Sequence, residues 1–128
     1  MNSTISRNAR LTAATLFIGL LTSGGAFAQS APAMMDGGVL VGGNGMTLYV
    51  FDKDAGGKSM CTGKCAENWP PLMAPAGSMG SGDFGVITRD DGKMQYTYKG
   101  KPVYFWVKDQ KPGDRTGDGF NNVWHVAK

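Results

Sequence analysis

Gly45-Met-Thr-Leu-Tyr-Val-Phe-Asp-Lys-Asp54 is written twice in this chain. A shift of 55 residues lays Gly100-Lys-Pro-Val-Tyr-Phe-Trp-Val-Lys-Asp109 beneath it. Gly45 falls on Gly100, Tyr49 on Tyr104, Lys53 on Lys108 and Asp54 on Asp109, with Phe51 over Trp106 and Leu48 over Val103. The same shift carries Trp69 onto Trp124, so one register holds from 45–72 to 100–127. The identities fall on the largest and the conformationally special residues. Such self-similarity is the signature of an internal repeat.

In an extended strand, side chains alternate between faces, so Tyr49 and Phe51 share one face, as do Tyr104 and Trp106. The other face of the second copy is also apolar (Val103, Phe105, Val107), which predicts a central strand covered on both sides. Buried Tyr and Trp need partners for their polar tips. Asp54 and Asp109 stand where they could accept such a bond or close an Asx turn. The alternative is an aromatic platform stacking on a flat ligand.

Around these copies the chain alternates short β-rich runs with turn signals. Val39–Val41, the cluster Gly42–Gly45 and the run Met46–Asp52 predict a hairpin over 39–52. Cys61, Cys65, Trp69 and Pro70-Pro71 follow, with room for one helical turn over 61–68 before the prolines forbid more. Residues 73–85 predict a loop. Strands at 85–89, 94–98 and 103–107 then form a meander, and a Gly- and Asp-rich loop (108–122) leads to a last strand at 123–126. No helical period of any length is present. The fold class expected is all-β, a small pseudo-twofold sandwich or barrel built from two β-meander repeats, with 39–128 as one domain.

Residues 1–28 have the zones of a secretory signal peptide: Arg7 and Arg10, an apolar run from Leu11 to Leu21, and the small-x-small box Ala26-Phe27-Ala28. The apolar run falls short of the roughly 20 residues a membrane span needs, so no stable span is expected after cleavage. Cleavage before Gln29 leaves 100 residues, with 29–38 read as a flexible leader and 39 onward as a single modest core. Without Arg7 and Arg10, 11 basic residues face 10 acidic ones, and the net charge falls from +3 to +1. The remaining basic residues form no run, which gives no support to a nucleic-acid partner. A periplasmic or secreted location follows.

The pattern Tyr-x-aromatic-x-x-Asp, present as Tyr49-Val-Phe51-Asp-Lys-Asp54 and Tyr104-Phe-Trp106-Val-Lys-Asp109, resembles that of the bacterial secreted repeats of unknown function. These are exported lipoproteins that carry the motif in tandem copies. The resemblance spans about residues 38–127. It implies an exported repeat domain and lends no catalytic residue, and no Cys stands at the cleavage box for lipid attachment.

Three readings of function remain. The first is a non-enzymatic envelope binding or interaction module, its partner an unknown envelope component or small ligand, with no cofactor. The others rest on Cys61 and Cys65, whose pairing an oxidising compartment favours. The second is a copper site using the two thiolates with Met60 and His125, supported by further soft donors at Met34, Met35, Met73 and Met79. The third is a thiol-redox pair, although Cys-x3-Cys is not the thioredoxin-like spacing. The second repeat has Thr116 and Phe120 at the positions of the cysteines, so the pair is an addition to the repeat. His125 has no partner motif that would make it a catalytic base. The oxygen-rich stretch Asp114–Asn122 lacks the order of a calcium loop.

Overall fold

The computed structural model describes residues 31–128. The expected signal peptide (1–28) lies outside them. Eight strands, one short α-helix and a 3-10 turn at Phe120–Asn122 make up the regular structure of the described chain: β1 Ala33–Asp36, β2 Val39–Gly42, β3 Tyr49–Phe51, α1 Lys64–Asn68, β4 Met73–Ala74, β5 Phe84–Thr88, β6 Met94–Tyr98, β7 Lys101–Pro102 and β8 Trp124–Val126. They form three small antiparallel sheets: β1-β2, β3-β8, and β4-β6-β5 with β7 joined to β6. The all-β expectation is met, and among the described residues no barrel closes.

Each half begins with a hairpin. In the first, β1 and β2 are joined by Gly37 and Gly38, both at positive φ (61° and 87°), as a tight two-residue turn requires. Here the structure differs from the sequence reading, which placed a flexible leader over 29–38. Met34-Met-Asp36 shows no apolar alternation, yet its backbone pairs fully with Val39–Val41. In the second half, β5 and β6 form the matching hairpin across a longer turn. Leu48 N–H donates to Leu40 O, and its counterpart Val103 N–H donates to Tyr96 O. The hairpins are therefore equivalent at a shift of 56, one residue more than the motif.

The two halves then trade strands. β3 pairs with β8, which carries the Trp of the other repeat, with Tyr49 opposite Val126 and Phe51 opposite Trp124. Reciprocally, Tyr104 bridges Pro71, Phe105 N–H donates to Pro70 O and Val107 N–H to Asn68 O. The strand expected over 103–107 is thus only partly regular. Its partner segment contains Pro70 and Pro71, which have no N–H to complete a ladder. Between the halves, Tyr49 and Tyr104 exchange both backbone bonds, N to O at 2.8 and 3.0 Å, which marks the position of a local twofold axis.

The motif strands separate two apolar clusters. Tyr49, Phe51, Tyr104 and Trp106 face a core with Val39, Cys61, Trp69, Trp124 and Val126. Leu48, Val50, Val103 and Phe105 face a second with Ala33, Leu40 and Ala127. Both faces are covered, as alternation required. Only Val107, at the end of its strand, is left 48% exposed.

Candidate functional site

The motif rings are organised about the axis. Trp69 and Trp124 stack with centroids 3.8 Å apart and planes 2° from parallel. Phe51 stacks on the far side of Trp124 at 4.2 Å, and its counterpart Trp106 on the far side of Trp69 at 4.0 Å. Four rings thus form one continuous pile. Tyr49 meets Trp69 edge-on, and Tyr104 meets Trp124 the same way. Such edge contacts satisfy the ring quadrupoles. Both tyrosines are fully buried and so present no face to a flat ligand.

The carboxylates reach across the axis. Tyr49 Oη donates to Asp109 Oδ2, and Tyr104 Oη donates to Asp54 Oδ2, each at 2.7 Å. Every motif tyrosine is therefore bound by the aspartate of the opposite repeat. Asp109 also accepts from the backbone N–H and hydroxyl of Thr116, while Asp54 accepts from Met60 N–H at 2.6 Å. Burial lifts both phenols well above their ordinary range, and the neighbouring carboxylate adds to the shift. Burial also raises the Asp54 carboxyl, against the pull of Met60 N–H, the Tyr104 hydroxyl and Arg89.

One polar group near Tyr104 has no counterpart in the other repeat. The Arg89 guanidinium is buried, with Nη1 donating to Ser59 Oγ (2.9 Å) and Gln95 Oε1 (2.7 Å) and Nη2 to Cys61 O (2.6 Å). Ser59 Oγ lies 2.6 Å from Tyr104 Oη, and Gln95 Nε2 donates to Val103 O. A buried charge is tolerated when hydrogen bonds and a counter-charge surround it, which Asp54 supplies here. Sequence reasoning missed Arg89, Ser59 and Gln95. A lone Arg at a turn and a Gln inside a strand carry no signal of burial.

Cys61 and Cys65 are joined in a disulfide that ties the segment before α1 to its first turn, with Cα atoms 5.1 Å apart. Cys61 is fully buried, so an incoming thiolate has access only to the half-buried Cys65. Met60 projects to solvent at 57% exposure. His125 occupies the face of β8 opposite Trp124 and Val126, which pack with Cys61, and its Nε2 lies 2.7 Å from Asp52 Oδ2. The four residues of the copper reading therefore do not converge on one point. Within the 114–122 stretch, Asp114 accepts from Gln110 and Lys111, and Asp118 from Val126 N–H. These carboxylates brace loops.

One concave surface lies on the outer side of β3 and β8. A depression of about 360 Å³ is lined by Val50, Asp52, Lys99, Lys101, His125 and Lys128, among others. It shares Val50, Asp52, Lys99 and Lys101 with a second of about 350 Å³ that runs on to Asp54, Gly57 and Pro102. Lys99 stands at the rim because the turn into β7 holds it at φ 51°, beside Gly100 at 84°. Sequence reasoning named His125 here but not the lysines, which come from two distant segments.

No helix among the described residues is long and apolar enough to cross a membrane. Compared with known families, residues 33–73 and 85–128 match two copies of one described as a secreted repeat of unknown function. The chain belongs to that family. The first matched copy begins at β1 and the second within β5, so the family unit includes the hairpin ahead of each motif. No curated protein and no solved structure matches the chain.

Proposed function

We propose that this secreted-repeat chain is a non-enzymatic binding module of the cell envelope, periplasmic or secreted, whose ligand carries anionic groups. The observation that carries the reading is the division of labour between inside and outside. The motif's polar atoms are spent on one another across the axis, whereas Lys99, Lys101 and Lys128 rim an open depression with His125 held against Asp52. Ammonium groups on flexible stems suit carboxylate- or phosphate-bearing ligands as point charges. The depression is shallow, which fits a segment of a larger envelope polymer better than an enclosed metabolite.

The test is an NMR titration of the purified chain with muropeptides and with short anionic oligosaccharides. Shifts should concentrate at Val50, Lys101 and His125, weaken with added salt, and vanish in Lys99→Ala/Lys101→Ala. The ligand should be recovered unchanged. Shifts confined to the β1–β5 side, or undiminished in the double variant, would overturn the assignment.

A further inference from the structure

We propose that the aromatic pile is an internal relay for oxidising equivalents, carrying an electron hole from Trp106 to the paired tyrosines, where a hydrogen-bonded carboxylate takes up the released proton. The geometry supplies each part. Trp106 is the outermost indole of the pile and retains some exposure (8%), whereas Trp69 and Trp124 are covered. The three indoles are in stacking contact at 4.0 and 3.8 Å, close enough for their π-systems to exchange an electron directly. Each tyrosine then touches an indole edge-on: Tyr49 meets Trp69 at 5.4 Å and Tyr104 meets Trp124 at 5.2 Å between centroids.

The phenol is the terminus because of what it donates to. A tyrosine gives up an electron readily only if its proton has somewhere to go. Asp54 and Asp109 sit at 2.7 Å from the two hydroxyl groups, already hydrogen-bonded to the proton that must move. Burial makes Asp54 a better proton acceptor than an ordinary carboxylate. The sequence of steps balances. A one-electron oxidant of the radical class takes an electron from Trp106 and is reduced, leaving an indole radical cation. Electrons passing along the pile move the hole to Trp124. Tyr104 then returns one electron to that indole while its phenolic proton crosses to Asp54. The products are the reduced oxidant, intact indoles, a neutral phenoxyl radical and a protonated carboxyl group. The Trp69–Tyr49–Asp109 branch leaves the pile one ring nearer to Trp106 and ends on a carboxylate that Thr116 also holds.

The chain has four tyrosines, which makes the test clean. Azide radical generated by pulse radiolysis oxidises indoles first, and transient absorbance then follows indolyl decay and phenoxyl growth. In Tyr96→Phe/Tyr98→Phe, which keeps only the two motif tyrosines, phenoxyl should still grow at a rate independent of protein concentration. In Tyr49→Phe/Tyr104→Phe that growth should be lost. Asp54→Asn/Asp109→Asn should slow it while leaving the initial indolyl yield unchanged. Should the motif double variant fail to fold, the Tyr96→Phe/Tyr98→Phe variant decides alone. Absence of phenoxyl there, or growth proportional to protein concentration, would overturn the relay.

Discussion

Asp54 and Asp109 do their work at the opposite repeat, each from a turn that follows its own motif strand. Asp54 N–H donates to Phe51 O and Asp109 N–H to Trp106 O, so each aspartate lies beyond the extended segment that carries its own tyrosine. The 55-residue register exposed the motif, and burial of its rings was legible from alternation alone. The crossing was not legible, since the turn after each motif strand decides where its aspartate points. Nor was the network of Arg89, Ser59 and Gln95, because burial of a polar residue is decided by neighbours distant in the chain. Asp54 carries a testable pH dependence. Its folded-state pKa lies above the ordinary value of 3.8. Its contribution to stability is therefore fully present below that value and is lost as pH rises through the raised one. Asp114, held low by Gln110 N–H and the Lys111 ammonium, acts in the opposite sense: its contribution is lost as pH falls. Urea midpoints of the wild type relative to Asp54→Asn should accordingly decline from acid toward neutral pH. A difference that stays flat would contradict the burial of that carboxyl. Asp54→Ala, which strips acceptors from Met60 and Tyr104, should lower stability by about 1–3 kcal/mol at neutral pH.

Among the elements, β1 and the 103–107 segment mark the limits of pattern reading in opposite directions. β1 has no inward apolar period to betray it in the sequence, and Met34 and Met35 are indeed 64% and 48% exposed. Its real signal was Gly37-Gly38, a two-residue hairpin turn. The 103–107 run had an excellent period, yet its regularity is limited by the prolines of the strand beside it. Partner identity, absent from local sequence, settled both. The loop before β8 is constrained in a comparable way. A Cβ added at Gly117 would lie 2.7 Å from Trp69 Cη2 and 3.1 Å from Trp106 Cδ1, so the backbone there is pressed against the pile. Gly117→Ala should destabilise the chain by about 1–3 kcal/mol through overpacking. It should also disturb the near-ultraviolet circular dichroism of the indoles. Gly43→Ala, where a Cβ meets nothing within 4 Å, should leave both nearly unchanged. Equal effects from the two substitutions would remove the pile from the explanation.

For the whole molecule, the exchanged strands mean that two of the three sheets, β3-β8 and β4-β6-β5, draw on both repeats. Tyr49 needs Val126 and Tyr104 needs Pro71, so the halves depend on each other for hydrogen bonds as well as for buried area. Fragments 31–80 and 81–128, produced separately at low concentration, should show no cooperative thermal transition. Mixing them should restore one. A half that melts cooperatively as a monomer would refute this dependence. The twofold plan was visible in the sequence as a repeat, but the direction of exchange was not, since a repeat specifies equivalence and leaves open which copy each strand joins.

The late position of β8 has a consequence during synthesis. Trp124, the ring that completes the pile, is synthesised after the other three rings, its partner Phe51 being the first of them. A product that stops short of Trp124 leaves Phe51 and Trp69 without their shared neighbour and the β3 edge unpaired. Such a product would display the features that proteases and chaperones recognise. The architecture thereby serves as its own proofreader: only a chain translated through β8 can hide its aromatic residues.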